Sequence, residues 1–141
     1  MSPASAVAVA AIFVWLGMVV AISFIEAPLK FRAPGVTLQI GLGIGRLVFR
    51  ALNGCELVLA VALVVAIVVE PPVIGAVVAA GVAIVALLAQ VVLVRPRLVK
   101  RSDTVLAGVD GPRSRVHYVY IGLELVKIAA LVVAGVLLLA A

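Results

Sequence analysis

Four stretches of this chain, residues 5–25, 46–69, 73–94 and 116–140, each run for twenty-one to twenty-five residues made mostly of Ala, Val, Leu and Ile. At 1.5 Å per residue, a helix of that length crosses a hydrocarbon core of about 30 Å. The whole chain of 141 residues is 67% hydrophobic and 12% charged, against roughly 45–50% and 25% in ordinary soluble chains. A soluble domain of this size leaves too much surface in water to hide that apolar content. Lipid must be the solvent. A cytosolic globular enzyme, a disordered tail and a disulfide-stapled secreted module are excluded. The expected fold class is all-α: one four-transmembrane-helix bundle over residues 1–141.

Punctuation divides the runs. Residues 1–5 carry no side-chain charge and EAPLKF follows the first run, which reads as a retained helix rather than a signal peptide. Pro28 and Pro34 are expected to stop that helix within a first loop, 26–45. Gly41, Gly43 and Gly45 form GxGxG, but Arg46 occupies the place of a third glycine, so no dinucleotide fingerprint results. That stretch is expected to be interfacial, leading into a helix that starts near 46. Glu70-Pro71-Pro72 turns the second helix into the third, an antiparallel hairpin. Arg95-Pro96 closes the third helix, and a second long loop covers 95–115.

The charges orient the bundle. The chain carries a net charge of +5. Lys30, Arg32, Arg46 and Arg50 flank the first long loop. Arg95, Arg97, Lys100, Arg101, Arg113 and Arg115 lie on the second, while the far ends carry no Lys or Arg. The positive-inside rule then puts both long loops in the cytoplasm and both chain ends outside, in a bacterial inner membrane. Anionic lipid headgroups are the natural partners of such loops. Without an aromatic-interleaved basic groove, nucleic acid is not an expected partner. A homo-oligomer or another membrane protein is compatible with the pattern.

Polar residues inside the spans are few and patterned. A charge at the centre of a span costs about 2.5–3.5 kcal/mol on insertion scales, so such residues face inward. His117, Tyr120, Glu124 and Lys127 step by 3, 4 and 3, an arc of about 80° on one helix face. Arg46, Arg50, Asn53 and Glu56 step by 4, 3 and 3, an arc of about 120°. Glu26 and Gln90 fall near the same side. All ten belong to the cytoplasmic half or lie near the midplane, whereas the outer half is Ala, Val, Leu, Ile and Gly. Two readings stand: a polar network that holds the helices together, or a cytoplasm-facing polar pocket between helices two and four for a small solute, a lipid headgroup or a proton. Trp15 reads as packing, and Tyr118 and Tyr120 as an interfacial aromatic belt.

The inventory of reactive groups is short. One cysteine, Cys55, forms no intrachain disulfide, and one histidine without CxxC or HExxH offers no metal site. No cofactor is expected: a single histidine cannot supply two axial haem ligands. No catalytic residue is assigned, since no nucleophile stands beside a base.

Two passages carry a resemblance. Phe24-Ile-Glu-Ala-Pro-Leu-Lys-Phe31 with Gly45-Arg-Leu-Val-Phe49, and His117-Tyr-Val-Tyr-Ile-Gly-Leu-Glu124, resemble small bacterial four-pass proteins of an uncharacterised domain family. That family is similar to the transmembrane-protein-205 group and distantly to copper-resistance D proteins; a DoxX-like four-helix family is a weaker candidate. The resemblance implies four helices and no established activity. Its distant hint of copper meets no Met, Cys or His cluster here. The leading functional expectation is a non-enzymatic binding or accessory protein. An oligomeric small-solute or proton-coupled transporter is the first alternative, and a membrane enzyme using paired carboxylates such as Glu56 and Glu124 the second.

Overall fold

The computed structural model describes residues 1–96, 100 and 115–141 of the chain. Four helices are long and apolar enough to cross a membrane: α1 (Pro3–Lys30), α2 (Leu38–Val69), α3 (Ile74–Val94) and α4 (Arg115–Ala140). No strand occurs among the described residues. The chain is a multi-pass, all-α membrane protein. Most of the basic loop 95–115 lies outside the described residues.

Helix ends differ from the punctuation in three places. α1 does not stop at Pro28 but continues to Lys30. A proline removes one N–H and presses its ring against the carbonyl four residues earlier. The turns ahead of Pro28 are widened into a π-helical stretch, Val20–Glu26, which accommodates that defect. α3 repeats the device: Gln90–Val94 is π-helical, and residues 95 and 96 remain helical.

The third difference is the start of α2, at Leu38 rather than near 46. Gly35 takes a left-handed backbone with φ of 80°, a conformation only glycine adopts freely, and so reverses the chain. Thr37 then caps the helix, its hydroxyl accepting from the Ile40 N–H at 3.2 Å. GxGxG lies on the helix itself. A Cβ on Gly41 would fall 2.1 Å from the Phe31 ring, and one on Gly45 would fall 2.9 Å from Lys30 Nζ. These glycines are a flat seat for the returning end of α1.

α1 packs against α2 and α4, and α4 packs against α1 and α3. The α2–α3 hairpin is in slighter contact, and α2 and α4 make little backbone contact among the described residues. The layer next to the chain termini is sealed by small side chains, including Ala8, Ala11, Ala76, Ala80, Ala83 and Ala134, around Ile12, Leu63 and Leu131. Small residues let helix backbones approach closely where apolar burial drives no association. At Gly135 a Cβ would come within 2.7 Å of the Phe13 ring, so α1 and α4 lean together there. At this end the Ser2 hydroxyl also contacts the Glu70 carboxylate, tying the start of the chain to the α2–α3 turn.

Candidate functional site

Beneath the alanine layer, polar side chains from all four helices converge. Lys127 on α4 is completely buried, and its ammonium has three protons to place. It donates to Glu56 Oε2 on α2 and to Gln90 Oε1 on α3 at 2.7 Å, and forms an ion pair with Glu124 Oε1 on its own helix at 2.6 Å. The neighbours are held in turn. Gln90 Nε2 donates to Glu124 Oε1 at 2.7 Å and, more weakly, to the Tyr120 carbonyl at 3.3 Å. Ser23 on α1 donates to Glu124 Oε2 at 2.6 Å, and Trp15 Nε1 donates to Glu56 Oε2 at 2.7 Å. Glu56 Oε1 has no hydrogen-bond partner. The two π-helical stretches supply Ser23 and Gln90, as expected if the widened turns help aim these side chains inward.

The depth of this network follows from residue counts. Glu56 and Lys127 each lie thirteen residues, about 20 Å, from the end of their helix at the terminus side. Trp15 is about 18 Å from the start of α1 and Gln90 about 24 Å from the start of α3. The apolar seal thus fills roughly two thirds of a 30 Å hydrocarbon core.

On the other side of the network, where α2 and α4 part, a cavity of about 450 Å³ opens. α1 contributes Ser23, Phe24, Ala27, Pro28, Lys30 and Phe31. α2 adds Gly41, Leu42, Gly45, Arg46 and Phe49. Arg95 closes it from the end of α3, and α4 adds His117, Tyr120, Ile121 and Glu124. The walls are mainly apolar and aromatic, with cations at the rim. Phe49 meets Tyr120 edge to face at 5.9 Å. Lys30 Nζ stands 5.6 Å from the Phe31 centroid and 5.8 Å from that of Phe49, whose ring also carries Arg95 at 5.9 Å.

Arg95 donates to the Arg46 carbonyl at 3.0 Å and has no carboxylate partner among the described residues. Burial, the largest influence, pushes its guanidinium down from its ordinary value; Tyr120 opposes this and Arg46 adds to it. It stays charged at neutral pH. The Tyr120 hydroxyl is near enough to act on Arg95 electrostatically, yet it is buried without a hydrogen bond of proper geometry.

The ten side chains singled out from the sequence divide three ways. Glu56, Gln90, Glu124 and Lys127 form the buried network. Arg46, His117, Tyr120 and Glu124 line the cavity, Glu124 belonging to both. Glu26 stands at the margin, its Oε2 without a hydrogen bond and 3.8 Å from Lys30 Nζ. Asn53 is buried with Oδ1 unpartnered and belongs to neither group. Arg50 is exposed and joins neither; it lies at one edge of the 120° arc, which is too wide for every member to face inward.

Four contributors were not singled out. Trp15 is a hydrogen-bond donor as well as packing, and the signal was available: an indole N–H deep in a span needs an acceptor. Ser23, Lys30 and Arg95 carried no distinguishing pattern, because their roles depend on the π-helical stretches and on α1 running past Pro28. The described residues contain no group of three or more His, Cys, Asp or Glu side chains placed to hold a metal. Comparison with protein-family models, characterised proteins and solved structures finds no match.

Proposed function

We propose that this chain is a non-enzymatic binding or accessory protein of a bacterial inner membrane, taking a ligand into a pocket that opens to the cytoplasm. The observation that carries the reading is the cavity of about 450 Å³ bounded by all four helices and floored by a locked polar network. Its volume suits a small-molecule site. Its mouth lies at the end bearing Lys30, Arg46 and Arg95, the cytoplasmic end by the positive-inside rule. Binding is favoured over catalysis because Glu56 stands behind Lys127 rather than on the cavity wall, so the two carboxylates do not flank one substrate position.

A dead end is favoured over a conduit by the seal. A hydrated ion passing Lys127 would meet about 20 Å of Ala, Val, Leu and Ile with no side chain to replace its water. Liposomes reconstituted with the protein are expected to show proton and potassium fluxes equal to those of empty vesicles. Protein-dependent flux abolished by Glu124→Gln would overturn this reading in favour of a transporter.

Orientation has its own check. In a Cys55→Ser background, a membrane-impermeant thiol reagent added to intact cells should modify Ser2→Cys and spare Ser102→Cys. Labelling at position 102 from outside would invert the topology and place the cavity on the opposite face.

A further inference from the structure

We propose, building on the pocket reading above, that the ligand is an anionic amphiphile, whose phosphate or carboxylate head is held by Arg95 and Lys30 while its apolar body lies against Phe24, Phe31 and Phe49. The charge balance of the cavity points to an anion. Arg95 is partly buried with no carboxylate partner among the described residues; it donates to the Arg46 carbonyl, faces the Phe49 ring and lies beside the Tyr120 hydroxyl. Among the described residues Lys30 has one loose acidic partner, Glu26 at 3.8 Å. Glu124, the acid on the cavity floor, shares the charge of Lys127 with Glu56 and receives Gln90 and Ser23 as donors. Among the described residues, Arg95 and Lys30 therefore face the cavity with more positive charge than Glu26 balances.

A second observation concerns Tyr120. Its side chain lines the cavity and the residue is 6% exposed, yet its hydroxyl, beside Arg95, makes no hydrogen bond of good geometry. A buried O–H left unmade is costly, and an anionic head between Arg95 and Lys30 offers it an acceptor. Guanidinium is suited to such heads because its fork matches carboxylate and phosphate oxygens. The apolar part of the ligand follows from the walls. Three phenylalanines surround a mainly apolar cavity whose polar lining, among the described residues, is the cations with Ser23, His117, Tyr120 and Glu124, so a fully hydrophilic anion would leave most of the surface unmatched.

The probes are dihexanoyl phosphatidic acid, octyl phosphate, dihexanoyl phosphatidylcholine and inorganic phosphate, titrated onto the full chain in a neutral maltoside detergent and read by native mass spectrometry and thermal shift. At least one of the first two should bind and raise the Tm, with the last two weaker by about tenfold or more. A preference for the diacyl compound assigns the head to a membrane lipid, and a preference for octyl phosphate assigns it to a water-soluble amphiphile. Arg95→Gln should weaken binding about tenfold or more, the loss expected when a charge-assisted hydrogen bond is removed. Arg95→Lys should retain part of the affinity, and Lys30→Gln provides an independent second variant.

Equal binding of phosphatidylcholine, or affinity indifferent to both Arg95→Gln and Lys30→Gln, would overturn the anionic assignment. Inorganic phosphate binding as tightly as the amphiphiles would overturn the apolar half. The underlying pocket is tested separately by Gly41→Leu, which must drive the Phe31 ring into the cavity or away from it. If a neutral amphiphile binds and Gly41→Leu abolishes it, the pocket stands and its ligand class falls. If no probe binds the unsubstituted protein, both fall.

Discussion

Lys127→Met should lower stability by about 3–5 kcal/mol in equilibrium unfolding from mixed micelles, the range found when one partner of a buried ion pair is removed. The side chains are of similar length, so the loss is of charge and hydrogen bonds rather than of volume. Without the ammonium, Glu56 and Glu124 remain buried with no cation between them, and Gln90 Oε1 loses its donor. The two carboxylates are not equivalent in that state. Glu124 keeps Ser23 and Gln90 as donors and borders the cavity, whereas Glu56 keeps only Trp15 and already has an unpartnered Oε1. Adding Glu56→Gln to Lys127→Met should therefore recover more stability than adding Glu124→Gln. Equal recovery by both would make the two carboxylates equivalent, and strict additivity of each pair would show that the three groups do not act as a unit.

Trp15→Phe is expected to cost about 1–3 kcal/mol, the penalty for leaving a buried acceptor short of a donor. Trp15 is fully buried, and its indole N–H reaches Glu56 at 2.7 Å. Phenylalanine keeps most of the aromatic surface, so the measured loss reads the hydrogen bond together with a small packing defect. A double-mutant cycle with Glu56→Gln separates the two. The coupling should exceed 0.5 kcal/mol, the lower end for residues in direct contact. Additive effects would return Trp15 to a purely packing role and detach α1 from the network at that point.

Both variants probe what holds four apolar helices together when lipid competes equally for their apolar faces. In the half near the termini, alanines permit close approach. In the other half, one lysine binds groups from α2, α3 and α4, and Trp15 and Ser23 attach α1. Removal of Lys127 therefore unlinks several helices at once. The looser Lys30–Glu26 pair at 3.8 Å, within one helix, has no comparable reach.

The number of helices, their approximate spans and the inward face of α4 were legible in the sequence. Hydrophobic length and the cost of an intramembrane charge are local properties, and a residue as expensive in lipid as Lys127 has few places to go. The stepping of Tyr120, Glu124 and Lys127 was informative for the same reason. Three features were decided only by tertiary structure. Helix α1 passes Pro28 because a widened turn absorbs the proline, which a local helix-breaking rule does not foresee. GxGxG is helical because Phe31 and Lys30 come back over Gly41 and Gly45, a contact made by a chain reversal at Gly35. Ser23, Lys30 and Arg95 join the site because helices α1, α2 and α4 separate at one end and stay sealed at the other. A sequence shows which side chains must leave lipid; which of them meet depends on how four backbones cross.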